Sequence, residues 1–272
     1  MHKLGIMQGR LLPDDPNTLQ YFPQNSWKDE FSIAESIGFD FIELLFDINQ
    51  NKHNPLVNIN GINEHIIELS KTKLSNYSIC ADYFTKHSFI VQNNSSTKNK
   101  LVDLINKSNN IGASLIIIPL LNDNNCSNYD AFDSFLKMIK GLMNNGIKSN
   151  IKICLEVSLD AKTVLKALSS NQVNVSICYD FGNATAFGFD ISEEIICLKD
   201  YIAHVHIKDR KKNGGLNVPL GSGDADFSSG FKALKEINYT GSFTLETALG
   251  AEPIESAKYN YSYTKNLIST LK

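Results

Sequence analysis

Segments with strand character and segments with helix character alternate eight times along this chain. Short runs rich in branched and aromatic residues predict strands near 4–8, 41–45, 78–82, 114–118, 151–156, 173–180, 202–207 and 242–246. The intervening patterns predict helices near 27–37, 61–74, 97–111, 129–148, 160–169, 191–199, 228–237 and 256–271. No Pro- or Ser-rich linker divides the 272 residues, and roughly 250 residues are typical of one (β/α)8 barrel. We therefore predict that residues 1–272 form a single α/β domain, a (β/α)8 TIM barrel, with an open doubly wound sheet as the alternative.

Four of the predicted strands have one apolar face and one polar face. Side chains alternate between the faces of a strand, so the segment 173–180 places Ile177 and Tyr179 on one side and Cys178 and Asp180 on the other. The segments 151–156, 202–208 and 242–246 divide in the same way. In the segment 202–208, Ala203 falls on the apolar face and Ile202 on the polar face. This pattern fits strands that pack on outer helices and direct their other face into a barrel. Half-buried antiparallel strands are the alternative, but they leave the intervening helices unexplained.

Four ionisable side chains occupy the ends of strands five to eight. They are Glu156, Asp180, His206 and Glu246. The carboxyl ends of the strands of a parallel barrel meet at one mouth, so these four groups should converge there. Three clustered carboxylates repel one another unless a cation neutralises them. Oxygen ligands with one imidazole suit Mn²⁺, Mg²⁺, Co²⁺ or Zn²⁺, so the sequence predicts a divalent metal site.

Other polar residues lie near the predicted strand ends. Gln8, Arg10, Glu43 and Asp82 end the first three strands, and we expect them to point inward and contact substrate. A buried ion pair between one of them and a basic neighbour is the alternative. His204 is predicted to lie one layer below His206, as a core residue or a partner behind the metal ligand.

The segment after strand seven is basic at its start. Lys208 is predicted to hold a substrate oxygen or to pair with a carboxylate, with a plain solvated lysine as the alternative. Arg210 is followed by two lysines, and barrels often bind phosphate after strands seven and eight. An anionic group of the substrate, if it has one, should therefore dock near Lys208 and Arg210, and a solvated charged face is the alternative. The glycine-containing segment 221–226 lacks the pattern of a dinucleotide site and predicts a turn leading to the cap of the seventh helix.

Bulk composition limits the kinds of partner and the cellular compartment that we expect for this protein. The formal charge of −3 and the presence of only two arginines give no footprint for nucleic acid. No signal peptide or apolar run of membrane length is evident, so no membrane partner is expected. Five scattered cysteines with no CxxC pair are typical of buried thiols in a reducing compartment, which favours a cytoplasmic location. The sequence leaves the oligomeric state open, a homo-oligomer included.

Several motifs together resemble one known family. They are LGIMQGRL at 4–11, GFDFIEL at 38–44, YDFGN at 179–183, HVHIKDR at 204–210 and TLE at 244–246. In this order they resemble the xylose isomerase-like TIM barrels, which include sugar phosphate isomerases and epimerases. The resemblance implies that Glu156, Asp180, His206 and Glu246 bind the metal, and that the two glutamates form the acid–base pair.

The chain departs from the ketose 3-epimerases of this family at two positions. Those enzymes carry a substrate-binding histidine three residues after the metal aspartate, where this chain has Asn183. They also place an arginine six residues after the metal histidine, where this chain has Lys212, so Arg210 is the nearest substitute.

The expected chemistry is proton abstraction next to a carbonyl of a sugar or sugar phosphate, through an enediolate. A dehydratase or lyase of the inosose or dehydroshikimate type could use the same site and is the main alternative. An endonuclease IV-like nuclease would need several more histidines at strand ends, and His2, His53, His65 and His87 do not lie there. A non-catalytic sugar-binding barrel is the remaining alternative.

Overall fold

The computed structural model describes residues 2–15, 20–58, 60–89, 95–121, 126–144 and 150–271. Within these ranges eight parallel strands close into a barrel, in which β1 pairs with both β2 and β10. The barrel strands are β1 (Leu4–Met7), β2 (Phe41–Leu45), β3 (Ser78–Cys80), β4 (Leu115–Leu120), β5 (Lys152–Val157), β6 (Ser176–Asp180), β7 (Ile202–Ile207) and β10 (Ser242–Leu245). A short antiparallel hairpin of β8 (Asp209–Arg210) and β9 (Asn217–Val218) follows β7. The predicted barrel is confirmed.

Helices separate the barrel strands. They are α1 (Asp29–Ile37), α2 (Gly61–Ser70), α3 (Tyr83–Lys86), α4 (Ser95–Ile111), α5 (Tyr129–Asn144), α6 (Ala161–Asn171), α7 (Phe181–Phe187), α8 (Ile191–Leu198), α9 (Phe227–Glu236) and α10 (Pro253–Ser269). The predicted helix 129–148 extends over 145–148, which lie outside the described residues. The short helices α3 and α7 and the β8–β9 hairpin were not predicted. Their few residues carry too little periodicity to detect.

The predicted division of strand faces holds with one correction. Ile177 and Tyr179 pack in the outer core against the helices, while Cys178 lies in an inner cluster with Leu115 and Cys154. Ile202, which was expected to face inward with His204, belongs instead to the outer core. A bulge between β6 and β7 causes the difference, since Ile177 pairs with Ile202 and the next residue, Cys178, pairs with His204. The extra residue reverses the facing of the first two residues of β7, so Ala203 packs against the inner cluster instead of the outer core, and the facing from His204 onward is as predicted.

The sixth strand is shorter than predicted. It begins at Ser176 rather than Val173, because the Val175 N–H donates to the Val173 carbonyl at 3.0 Å in a tight turn. Both valines nevertheless pack in the outer core, as their position on the apolar face predicted.

The loop after β7 is organised by one buried aspartate. The Asp209 carboxylate accepts the N–H groups of Gly221, Gly223 and Ala225 at 2.9, 2.8 and 3.2 Å. A side chain at 223 would place its Cβ 1.8 Å from Asp209 Oδ1, so glycine is required there. The segment ends at Asp226, whose side chain caps α9 by accepting the Ser229 N–H at 3.0 Å, as the sequence predicted.

The loop after β1 is anchored by a buried carboxylate on α1. Glu30 accepts the N–H groups of Gly9, Leu11 and Leu12 at 3.0–3.2 Å. Gly9 takes a φ of 83°, a left-handed conformation that turns the chain back over the barrel mouth. Arg10 lies within this anchored turn and is therefore held at the mouth.

No helix in the described part of the chain combines the length and the apolar character that a membrane crossing requires. All five cysteines are free thiols, four of them buried and Cys197 partly exposed.

Candidate active site

The four residues predicted to bind metal converge at the mouth of the barrel. Atoms of Glu156, Asp180, His206 and Glu246 that could ligate an ion all lie within 4.8 Å of one another. His206 Nδ1 is 2.9 Å from a Glu246 oxygen and 3.8 Å from oxygens of both Glu156 and Asp180. All four side chains are at least nine-tenths buried. Each comes from a different strand end, which is why the barrel topology assembles them.

The donor atoms of this cluster fit a divalent cation. Asp180 Oδ2, His206 Nδ1 and Glu246 Oε2 are buried, and among the described residues their close ionic contacts are limited to one another and to the ammonium of Lys208. Buried polar atoms rarely stay in that state without a ligand. Burial and the neighbouring charge of Glu246 raise the pKa of Glu156 to about 8, and burial also raises the pKa of Asp180. A cation would relieve this crowding of negative charge, and three carboxylates with one imidazole are a suitable ligand set.

Lys208 lies against the same carboxylates. Its Nζ is 3.0 Å from Asp180 Oδ2 and 3.2 Å from Glu246 Oε2. Burial alone would lower the pKa of Lys208, but the two carboxylates outweigh it and raise that pKa above its ordinary value. Of the alternatives given for Lys208, the structure shows the pairing with a carboxylate, and the buried side chain is not a solvated lysine.

Asn183 connects Glu156 to Arg210. The Asn183 side-chain amide donates to Glu156 Oε1 at 2.6 Å, and its carbonyl oxygen accepts from Arg210 Nη1 at 2.8 Å. Arg210 also donates through Nε to the Gly215 carbonyl at 3.0 Å, which ties it to the hairpin loop. Asp180 caps α7, since its Oδ1 accepts the backbone N–H of Asn183 at 2.6 Å. One asparagine therefore orients two of the four cluster residues.

A second amide, Gln20, orients Glu246 on the opposite side of the cluster. Gln20 Nε2 donates to Glu246 Oε1 at 3.1 Å, and Gln20 Oε1 accepts from Arg10 Nη2 at 2.6 Å. Arg10 Nε donates in addition to the Thr247 carbonyl at 2.9 Å. Sequence reasoning missed Gln20, since it lies in the loop after β1 with no periodic pattern around it.

Glu43 lies beneath the cluster rather than at its open side. Its carboxylate is fully buried and contacts His206 Nε2 at 2.8 Å and His204 Nε2 at 3.1 Å. Burial would raise the pKa of Glu43, but the two imidazoles outweigh it and hold that pKa well below its usual range. The structure therefore pairs Glu43 with two basic neighbours, which was the alternative to substrate contact, and each pair is ionic only when its histidine is protonated.

Gln8 and Asp82 each keep one buried polar atom without a partner. Gln8 Oε1 accepts the Leu45 N–H at 3.0 Å, while its Nε2 has no hydrogen bond. Asp82 Oδ2 is likewise unpartnered. Burial and the charges of Glu246 and Asp47 raise the pKa of Asp82 to about 7.

The remaining histidines do not extend the cluster. His2 bonds the Gly241 carbonyl beside the start of β10, His65 bonds Asn76, and His87 stacks on Tyr83. Among the described residues the other group with metal-ligand spacing is Cys178, His204 and His206, which shares His206 with the first. This arrangement gives no support to a nuclease with a three-metal centre.

Comparison with known proteins identifies a matching family model and several named relatives. A family model described as the xylose isomerase-like TIM barrel matches residues 31–266. The putative L-ribulose-5-phosphate 3-epimerase SgbU of Haemophilus influenzae is 23% identical over 281 residues, covering 93% of this chain and 92% of the relative. The probable L-ribulose-5-phosphate 3-epimerase UlaE of Mycoplasma pneumoniae is 25% identical, covering 88% of this chain and 82% of the relative.

Solved structures share the fold at lower identity. The crystal structure of the IOLI protein with a zinc atom superposes with a TM-score of 0.77 at 15% identity, covering 99% of both chains. The family model spans most of the sequence and includes all four cluster residues. The chain therefore belongs to the xylose isomerase-like TIM barrel family.

Proposed function

We propose that this protein is a metal-dependent isomerase or epimerase that acts on a sugar or sugar phosphate by moving a proton next to a carbonyl. The observation that carries the proposal is the buried convergence of Glu156, Asp180, His206 and Glu246. The names of the SgbU and UlaE relatives support a sugar phosphate as the substrate class.

The four cluster residues would hold the cation, with Mn²⁺, Mg²⁺, Co²⁺ and Zn²⁺ as the ions that suit these ligands. When bound, the cation would stabilise negative charge developing on the carbonyl and neighbouring hydroxyl oxygens of the substrate.

Glu156 and Glu246 form the proton-transferring pair in this proposal. Each has one oxygen fixed by an amide, from Asn183 or Gln20, and a second oxygen directed at the cluster. Their surroundings separate their pKa values, since that of Glu156 is raised to about 8. Burial would also raise the pKa of Glu246, but Lys208 and His206 hold it below its ordinary range. This difference belongs to the metal-free site. A bound cation would lower both pKa values, and the two glutamates would then exchange protons with the substrate from opposite faces.

The other predicted substrate contacts divide into two groups. Asp82 and Gln8 offer unpartnered polar atoms, and Asn183, Lys208 and Arg210 lie beside the cluster, so we retain these five as substrate-binding residues. Arg10 and Glu43 are reassigned from substrate contact to positioning, because Arg10 holds Gln20 and Glu43 holds His206.

The decisive experiment follows solvent deuterium. Metal-loaded protein is incubated in D₂O with ketopentoses, keto-polyols and their phosphates, and deuterium next to the carbonyl is measured by NMR. We expect exchange with a substrate, and exchange slowed by at least about 100-fold in the Glu246→Gln variant. Absence of exchange across the panel with metal-loaded protein would contradict the proposal, and loss of water from a substrate would point to the lyase alternative.

A further inference from the structure

We infer that Glu43 is a positioning residue that selects which nitrogen of His206 faces the metal cluster and thereby strengthens metal binding. This inference rests on the proposed function, because it assigns a role toward the same cation. Glu43 touches none of the four carboxyl and imidazole atoms at the mouth that would contact the ion, and it acts through His206 alone.

The contacts of Glu43 divide between its two oxygens. Oε1 meets His206 Nε2 at 2.8 Å. Oε2 accepts from the hydroxyls of Ser78 and Thr244 at 2.6 and 3.0 Å and lies 3.1 Å from His204 Nε2. The side chains of Glu43, His204 and His206 are fully buried, so water cannot replace any of these contacts. Both oxygens are thus surrounded by groups that can donate, and Glu43 acts as an acceptor throughout.

The hydrogen bonds of His204 agree with this assignment. Thr244 Oγ1 donates to Glu43, so it must accept from His204 Nε2, which lies 2.9 Å away. His204 Nδ1 then accepts from the Ser242 hydroxyl at 2.7 Å. A single direction of donation therefore runs from Ser242 through His204 and Thr244 to Glu43. No donor is left over that would require Glu43 to carry a proton.

The consequence falls on His206. An acceptor at Oε1 requires the proton of the neutral imidazole to stay on Nε2, which leaves the lone pair on Nδ1. Nδ1 is the atom that lies 2.9 Å from Glu246 and 3.8 Å from Glu156 and Asp180. A carboxylate behind a ligating histidine fixes ring orientation and raises its basicity, and losing such a partner typically costs about 10–100-fold in metal affinity.

The test compares Zn²⁺ and Mn²⁺ affinity in the full-length protein and two variants by chelator competition. Glu43→Gln keeps the shape but removes the charge, and we expect the dissociation constant to rise by about 10-fold or more. Ser78→Ala removes a hydrogen bond from Oε2 of Glu43 but keeps the contact between Oε1 and His206. We therefore expect the dissociation constant to change by less than about 3-fold. Circular dichroism checks that each variant is folded.

A second measurement needs no variant. Nitrogen-15 NMR of the zinc-loaded wild-type protein should show His206 protonated at Nε2 and ligated through Nδ1. Ligation through Nε2, or equal affinity in Glu43→Gln and wild-type protein, would overturn the inference while leaving the proposed function intact. Wild-type protein that binds neither ion at the cluster would overturn both.

Discussion

At the scale of single residues, two amides define how the glutamates of the cluster are presented. Asn183 holds Glu156 and Gln20 holds Glu246, each through one oxygen, at 2.6 and 3.1 Å. An amide can donate without adding charge, so it orients a carboxylate and leaves its second oxygen available for an ion or a substrate. The amide at 183 occupies the position where the resemblance to ketose 3-epimerases implied a histidine, and it adds a link to Arg210.

Glu246→Gln tests the acid–base role at this scale. The variant preserves shape and one oxygen ligand but removes the ability to accept a proton. We expect some metal to be retained and turnover to fall by at least about 100-fold, the usual scale of general acid–base catalysis. Metal content and turnover are measured on the same sample, with Gln20→Ala as a control that disturbs orientation only. Near-normal turnover in the metal-loaded variant would show that the proton moves by another route.

Arg210→Ala tests whether this side chain contacts an anionic group of the substrate. Hydrogen bonds to charged groups contribute about 1.5–3 kcal/mol, so KM for a phosphorylated substrate should rise by roughly 10-fold or more. KM for the unphosphorylated sugar should rise by a smaller factor. The control is Lys211→Ala, because Lys211 pairs with Asp224 on the exposed side of the same loop. Equal KM values for wild-type protein and Arg210→Ala would remove Arg210 from the substrate site.

At the scale of elements, loops determine the parts of the site that strand patterns cannot. The strand ends supply Glu156, Asp180, His206 and Glu246, whereas Gln20 arrives from the loop after β1 that Glu30 anchors. The loop after β7 is similarly held, by Asp209 and three backbone N–H groups. Buried carboxylates that gather backbone donors give these loops a fixed shape beside the mouth.

Gly223→Ala tests the anchoring of the second loop. The new Cβ would meet Asp209 Oδ1 at 1.8 Å, so the loop must move away and lose backbone hydrogen bonds. We expect the free energy of unfolding to fall by about 1–3 kcal/mol. Gly141→Ala is the matched control, because this glycine lies within α5 with nothing within 4 Å of the added methyl group. The free energy of unfolding of the control should rise by about 0.5–1 kcal/mol. Denaturant unfolding measures both, and an unchanged Gly223→Ala variant would show that the loop is not held as described.

At the scale of the whole molecule, the barrel and the location of the four cluster residues could be predicted from the sequence, because both depend on repeated local patterns. Alternation of strands and helices predicts closure, and parity predicts which side chains enter the barrel. The depth of a side chain inside the barrel cannot be predicted in this way, because it depends on the stagger between strands that are far apart in sequence. The inward face of Glu43 was therefore predictable, whereas its level, which decides between substrate contact and the buried pairing with His206, was not. The bulge that moved Ile202 outward has the same origin, a pairing between strands that neither strand reveals alone.

The carboxyl-rich mouth should make the stability of the metal-free protein fall as the pH rises from about 6.5 to 8. The pKa of Glu156 is raised to about 8, and those of Asp82 and Glu30 to about 7. A carboxyl whose folded pKa is raised contributes stability that is present below its ordinary pKa and is lost as the pH passes its folded value. The lowered pKa values of His65 and His204 oppose this trend only below about 6.5, so they do not affect the window.

Adding Zn²⁺ or Mn²⁺ should reverse the loss, and most strongly near pH 8, where the cation no longer competes with the proton on Glu156. Binding at 100 times the dissociation constant stabilises a protein by about 2.7 kcal/mol. For a chain of this size that corresponds to a rise in Tm of roughly 5–10 °C. Thermal unfolding with a chelator and with metal, at pH 6.5 and pH 8, measures both effects. Glu156→Gln is the control that removes the titrating carboxyl of the cluster and leaves those of Asp82 and Glu30 in place. A Tm that climbed with pH in the chelator, or a metal-induced shift no larger at pH 8 than at pH 6.5, would show that proton release from the cluster does not govern cation binding.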